Sequence, residues 1–489
     1  MSEAASVPFS ETKAPEAPER LHRGALGLVD ISASTMANIG PAYSFYFSAG
    51  FLFLTAGIAA PLTIIVAGIA IALLGNTLSQ FSRAHPSTGG FISYVGKTFG
   101  GTSAVTTALL CGAGYIIAIS SVLAICGGYL SMLLQYYFNV DIPWGIFSVV
   151  FTAGAIVMMV RGVAVSTKLA GLFFGFEMLV LVVVSVAALI KHGGHLSAVP
   201  FEPSHITNGF SGLAAGFPLA VYLFIGWENS AALAEETNNP RRNVPRAVYM
   251  SVALMAVGYV LYAYATATGF NYNVTAINSV PIPFIAVSHE IAAWLAGFAW
   301  IAGLTSTLGV LISAVNSQAR LIFNAGREGL LPRWLGKVQP TRRTPVNAIF
   351  AFIAIATVLI LVWAVLHLAG GSKQSGGMNA LNYFVDSSTM GTILLLVVYF
   401  LSNLALPFYY RRYRPQEFSV VKHAVLPVLG MIAVGVPMYY LVKPGQPSPL
   451  NWFPYAALGV IVVSLVYAFV MNRRDPGLGD RVGSIVADE

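Results

Sequence analysis

The chain has 489 residues, 56% hydrophobic and 9% charged, with a net charge of +7 and a mean hydropathy of +0.74. A soluble domain carries about 25% charged residues, so these values exclude an ordinary soluble fold and predict an all-α integral membrane protein. The basic excess is a topology signal and not a nucleic-acid signal, because nearly all of it falls in alternate segments between apolar runs.

Residues 1–24 are polar and proline-bearing, which predicts a disordered cytoplasmic segment and no cleavable signal peptide. About twelve apolar runs of membrane length follow. They lie near 25–47, 56–79, 102–135, 143–160, 169–190, 211–233, 247–269, 293–319, 346–369, 383–410, 424–441 and 451–471, ahead of a short tail, 473–489. With the N-terminus inside, the inner segments hold 23 of the 26 Lys and Arg residues, and Lys191, Lys373 and Lys443 alone face outward. That split predicts a multi-pass cell-membrane protein with both termini cytoplasmic. Cys111 and Cys126, in the third run, read as small core residues, and no metal or cofactor is expected.

Two runs are interrupted. The first contains "NIGPAYSFYF", Asn38 to Phe47, with Gly40 and Pro41 adjacent in mid-run. Glycine weakens a helix and an interior proline removes one of its hydrogen bonds, and in hydrocarbon each freed backbone group costs several kcal/mol unless satisfied. Five runs later the sixth contains Ile225-Gly226, followed at once by Glu228. Interrupted helices at matching positions of two halves are the mark of an inverted-repeat secondary transporter, whose site is built from unwound backbone. The alternative for the first interruption is a simple kink.

These residues also resemble the amino acid–polyamine–organocation superfamily of permeases along essentially the whole chain. "FIGWENSAALAEETNNPRRNVPRAV", Phe224 to Val248, is similar to that family's F-x-G-x-E followed by E-x-x-x-N-P-x-R-x-x-P. "GGFISYVGKTFG", Gly89 to Gly100, and "ARLIFNAGREGLLP", Ala319 to Pro332, resemble its segments after the second helix and at the end of the eighth. The resemblance implies a ten-helix core, residues 25–410, in two inverted halves, 25–190 and 211–410. Discontinuous helices one and six would line it, with two peripheral helices over 411–472. It further implies a substrate spanning both breaks, carboxylate to backbone amides and ammonium to carbonyls. Carried over, that site is Asn38, Ile39, Gly40, Pro41, Ala42 and Tyr43, facing Ile225 and Gly226. Here "GPA" replaces the usual Gly-Ser-Gly, and Pro41 has no N–H to donate. Carboxylate recognition would then be weakened, or shifted to Ala42 and Tyr43, leaving room for an amine. Tyr222 resembles the family's aromatic lid; Tyr115, Phe224 and Trp227 are further candidates, with core packing as the alternative for each.

Glu177 and Glu228 are carboxylates in mid-run, where ionisable groups are costly and functional by default. Either is a candidate proton carrier; the alternative for Glu228 is a brace for the interrupted helix. Some family members carry a lysine matching Glu177, so the charge there is reversed. Asp30 and Asp386 are expected near helix ends, where water or a capping role suffices. The expected function is therefore transport of amino acids by alternating access, coupled to protons, with an amine or polyamine permease or exchanger as the alternative. Its partners would be the small-molecule substrate, the proton and membrane lipid. A channel would need a continuous polar lining or filter, and a transport-inactive sensor would share the same site. Enzyme motifs are lacking: "GGFISYVGKT" has five residues between Gly90 and Gly96 where a phosphate loop needs four, and no H-E-x-x-H, C-x-x-C or G-x-S-x-G occurs.

Overall fold

Prolines open several helices of this chain, at Pro41, Pro240 and Pro283, while Gly40 and Asn139 close two in left-handed conformation. The fixed φ of proline suits the first turn, where its missing N–H is not needed. The computed structural model describes residues 24–161, 163–341, 344–369, 376–445, 448 and 450–482. In chain order the helices are α1 Leu28–Ile39, α2 Pro41–Ala56, α3 Ala60–Ala84, α4 Phe91–Phe99, α5 Gly101–Phe138, α6 Trp144–Val160, α7 Val163–Lys191, α8 Phe210–Tyr222, α9 Asn229–Ala232, α10 Pro240–Gly269, α11 Val274–Asn278, α12 Pro283–Ile291, α13 Ala293–Arg327, α14 Val346–Ala369, α15 Gly376–Tyr413, α16 Leu426–Val442, α17 Phe453–Arg474 and α18 Leu478–Arg481. Among the described residues no strand forms; Leu26 and Thr237 make an isolated β-bridge.

Among the described residues nine helical stretches are long and apolar enough to cross a membrane. Leu28–Ala84 is one of them and holds the first two predicted runs; the fourth and sixth runs are the shorter α6 and α8, of 17 and 13 residues. Several helices outlast their runs, α5 and α15 reaching 38 residues each, because helix continues past the apolar stretch. The expected disordered segment 1–24, save Gly24, lies outside the described residues, as do Lys373, Arg342, Arg343 and the tail from 483.

The burial pattern is that of a protein solvated by hydrocarbon. Leu361, Val362, Leu458, Val463 and Phe469 face outward, whereas Asn38, Glu177, Glu228, Gln318 and Arg320 are buried. α1 packs among α7, α10 and α13, and α2 among α8, α13 and α7, so both first helices sit at the centre. Several of the predicted inner basic residues meet at one end. Arg241 donates to the carbonyls of Arg83 (2.9 Å) and Ala84 (3.0 Å), Arg414 donates to Ala84 O (3.1 Å), and Tyr413 to Lys97 O (3.0 Å). At the opposite end Lys191 lies 3.3 Å from Glu290. Asp30 accepts from Gly27 N–H (2.9 Å), capping α1.

Candidate functional site

The first interruption is sharper than the sequence suggests. It is confined to Gly40 (φ 61°, ψ 79°), which ends α1, and Pro41 begins α2 immediately. An unwound stretch over 39–43 does not form, because a proline at the first helical position lets the next helix start without a loop. Gly40 is also a steric requirement: a Cβ there would stand 2.0 Å from Val310 Cγ2. Pro41 has no N–H for Ala37 O, and Ala42 sends its N–H to Glu177 Oε2 at 3.0 Å. Ala37 O and Asn38 O therefore lose their helical donors. Tyr43 N–H donates to Ser306 Oγ (2.9 Å), and Ser44 Oγ to Ile39 O (2.6 Å). The amides of Ala42 and Tyr43, expected as a carboxylate site, are thus engaged within the protein. The first-turn N–H groups of a helix seek an acceptor, and Glu177 and Ser306 supply one each.

The second interruption is longer: turns run from Leu223 to Glu228 between α8 and α9. Gly226 (φ 107°) lies against Asn38, to whose carbonyl carbon and side chain an added Cβ would come within 3.0 Å. The two breaks therefore touch. Glu228 accepts from Tyr115 Oη (2.6 Å) and from Gly226 N–H (3.2 Å), which ties the broken helix to α5.

Around the contact the space is small. One cavity of about 30 Å³ is lined by Asn38, Ile39, Tyr43, Tyr222, Ile225 and Gln318, among others. Another of about 20 Å³, towards the basic end, is lined by Asn38, Tyr115, Glu228, Phe91, Leu321 and Gln318, among others. Each has room for only a few waters, at roughly 10–15 Å³ per water. On the side away from the basic end Tyr43 and Tyr222 join hydroxyls at 2.9 Å, and Phe384 packs edge-on against both rings (5.5 and 5.6 Å). A larger cavity, about 430 Å³, lies apart at the ends of α5, α12 and α13, beside Tyr136 and Trp300.

Of the residues singled out in the sequence, Asn38, Ile39, Tyr43, Tyr115, Tyr222, Ile225 and Glu228 line the two small cavities. Gly40, Pro41, Ala42, Gly226 and Glu177 form the breaks without lining them. Phe224 and Trp227 go to packing: Phe224 meets Tyr259 (5.5 Å), and Trp227 meets Tyr399 (5.7 Å) and Phe91 (6.2 Å). Sequence reasoning passed over Ser306, Gln318 and Phe384. Gln318, 6% exposed, borders both cavities, and its Oε1 has no hydrogen-bond partner. A signal existed in α13, where Ser306, Ser313 and Ser317 repeat at helical spacing inside an apolar run.

The three motif segments converge at the basic end. Glu236 pairs with Arg320 (Oε2–Nε 2.5 Å), both within 2% of full burial, and Glu235 pairs with Arg327 (3.0 Å). Glu235 N–H donates to Thr88 Oγ1 (3.2 Å), just before Gly89. Leu26 bridges the same segment, donating to Glu236 O (3.0 Å) and accepting from Asn238 N–H (2.9 Å).

Paired helix breaks, buried carboxylates and a hydrocarbon-facing exterior define a polytopic membrane transporter built of helices. The sequence model of the amino acid permease family matches residues 26–473, and the chain belongs to that family. It is 24% identical over 436 residues to the methylthioribose transporter of Bacillus subtilis (strain 168), covering 86% of this chain and 87% of that one. It is 23% identical over 438 residues to the branched-chain amino acid permease BcaP of the same organism, covering 84% and 86%. Among solved structures, a variant of the Eremococcus coleocola manganese transporter shares the fold, with a TM-score of 0.56 at 12% identity over 91% of this chain and 95% of that one.

Proposed function

We propose that this permease carries small amino acids, or the closely related amines, across the cell membrane by alternating access, coupled to protons. The observation that carries the reading is the contact between Gly226 and Asn38, which joins two interrupted helices around two small cavities beside buried carboxylates. In this reading the chain crosses the membrane twelve times with both termini cytoplasmic. Residues 25–190 and 211–410 are inverted halves of the transport core, and 411–472 form two peripheral helices. The small cavities then belong to a constricted conformation without room for substrate, with the Tyr43–Tyr222 pair as the outer seal and the Glu236–Arg320 and Glu235–Arg327 pairs as the inner one.

Substrate meets Asn38, Ile39, Tyr43, Tyr115, Tyr222 and Ile225. Gly40, Pro41, Ala42 and Gly226 shape the breaks, and Phe224 and Trp227 back them from the core. Glu177 and Glu228 are the candidate proton carriers. Glu228 is also held by Tyr115 and Gly226, and Glu177 by the Ala42 N–H, so either acid is the carrier in this reading. The family and the permease BcaP, named for branched-chain amino acids, favour an amino acid. The engaged amides of Ala42 and Tyr43 favour an amine. A relative named for methylthioribose indicates that membership alone does not fix the solute. Uptake into proteoliposomes under an imposed pH gradient, with and without sodium, tests the reading. Saturable uptake that follows the proton gradient is expected; sodium-dependent uptake indifferent to pH overturns proton coupling, and unsaturable flux makes the protein a channel.

A further inference from the structure

The start of a helix attracts anions, because its first N–H groups lack helical acceptors and the dipole is positive there. At the start of α2 those donors are accounted for one by one. Gly40 N–H returns to Met36 O (3.0 Å), Pro41 has none, and Ser44 N–H goes to Gly40 O (2.8 Å). Between them Ala42 donates to Glu177 (3.0 Å) and Tyr43 to Ser306 (2.9 Å). At the second break Gly226 N–H is likewise taken by Glu228 (3.2 Å). Glu177 is 1% exposed and arrives from α7, 135 positions along the chain. A carboxylate belonging to the protein stands where a carboxylate ligand would bind.

What the centre leaves open is the opposite chemistry. Asn38 and Gln318 line both cavities, and Gln318 Oε1, buried beside them, has no hydrogen-bond partner. A buried acceptor without a donor costs free energy, so Gln318 Oε1 calls for a ligand that donates hydrogen bonds.

We propose that Glu177 is the specificity-determining residue of this site: it is a built-in occupant of the anion position at α2. The centre therefore takes a ligand through an ammonium group and discriminates against a free carboxylate beside it. The substrate class is then a small primary amine, or an amino acid whose carboxyl is esterified or amidated. This rests on the reading of the two breaks as the transport site.

The test uses matched pairs, each an amino acid and its decarboxylated amine, such as leucine with 3-methylbutylamine and ornithine with putrescine, plus leucine methyl ester. Binding to the purified full chain is measured by calorimetry for the wild type and Glu177→Ala. In the wild type the amine or ester of the recognised pair binds at least about tenfold more tightly than the acid, the scale of one charge-assisted hydrogen bond. In Glu177→Ala that ratio collapses or reverses, because the Ala42 N–H is released to the ligand. Added acetate, which matches the atoms removed, restores the wild-type preference. Should Glu177→Ala fail to fold, the wild-type ratio decides alone. A wild type that prefers the amino acid, while still transporting it, overturns this proposal and leaves the transport reading standing. Absence of both binding and proteoliposome uptake for every pair overturns the two together.

Discussion

Gly40→Ala isolates the geometry of the first break. The new Cβ would stand 2.0 Å from Val310 Cγ2 and 3.3 Å from Ser306 Oγ, whereas ordinary contact begins near 3.4 Å. Either α13 or the start of α2 must therefore yield by more than an ångström. A left-handed backbone costs a non-glycine residue about 1–2 kcal/mol, and overpacking a close-packed interior adds about 1–3 kcal/mol. The stiffer unfolded chain returns about 0.4–1 kcal/mol. The net loss expected is about 2–4 kcal/mol, a large part of the roughly 5–15 kcal/mol that separates folded from unfolded protein. Val310→Ala removes the clashing methyl, so the double variant should lose less than the sum of the two single losses, by about 1–3 kcal/mol. The assay is a double-mutant cycle from denaturation of the purified protein. Additive losses, or a Gly40→Ala variant within about 0.5 kcal/mol of wild type, would refute the account of why glycine stands there.

Glu177→Gln should keep substrate exchange across liposomes while removing its dependence on pH, and full pH dependence in this variant would clear Glu177 as proton carrier. Tyr115→Phe removes the 2.6 Å bond to Glu228 and should destabilise by about 1.5–3 kcal/mol, the range for hydrogen bonds to charged groups; a negligible change in unfolding would show that Glu228 does not brace the break. Arg320→Met should cost about 3–5 kcal/mol by stranding the buried Glu236, and Arg320→Met with Glu236→Met should recover most of it. In a thermal-shift screen, a ligand at about 100 times its Kd should stabilise the protein by about 2.7 kcal/mol, and a broad panel of amines and amino acids without a single shift would count against the site.

The breaks were legible because their cause is local. Gly40-Pro41 and Ile225-Gly226 announce themselves through residues that cannot continue a helix in hydrocarbon. How they are satisfied was not legible, since Glu177 and Ser306 come from helices 135 and 263 positions away. Ser306 could have been found from the polar stripe of α13, whereas Gln318 lies off that stripe. Phe384 could not, being one of 30 phenylalanines with nothing in its neighbourhood to mark it. The motif segments at 224–248 and 319–332 were visible as segments, but the pairing of Glu236 with Arg320 is a fact of three dimensions. Helix lengths misled in the other direction, because hydropathy ends at the apolar boundary and hydrogen bonding does not, as the 38 residues of α15 illustrate.

The near absence of free space between the breaks has a kinetic meaning. If the ligand binds between the breaks, as proposed, cavities of about 20 and 30 Å³ are too small for an amine of several heavy atoms, and a more open conformation binds first. Measured affinity is then an intrinsic affinity diluted by the population of an opened form: if that form is about one molecule in a hundred, the apparent Kd is weakened about a hundredfold. A substitution outside the cavities that favours the opened form would tighten apparent binding without touching the ligand, by raising the population able to receive it.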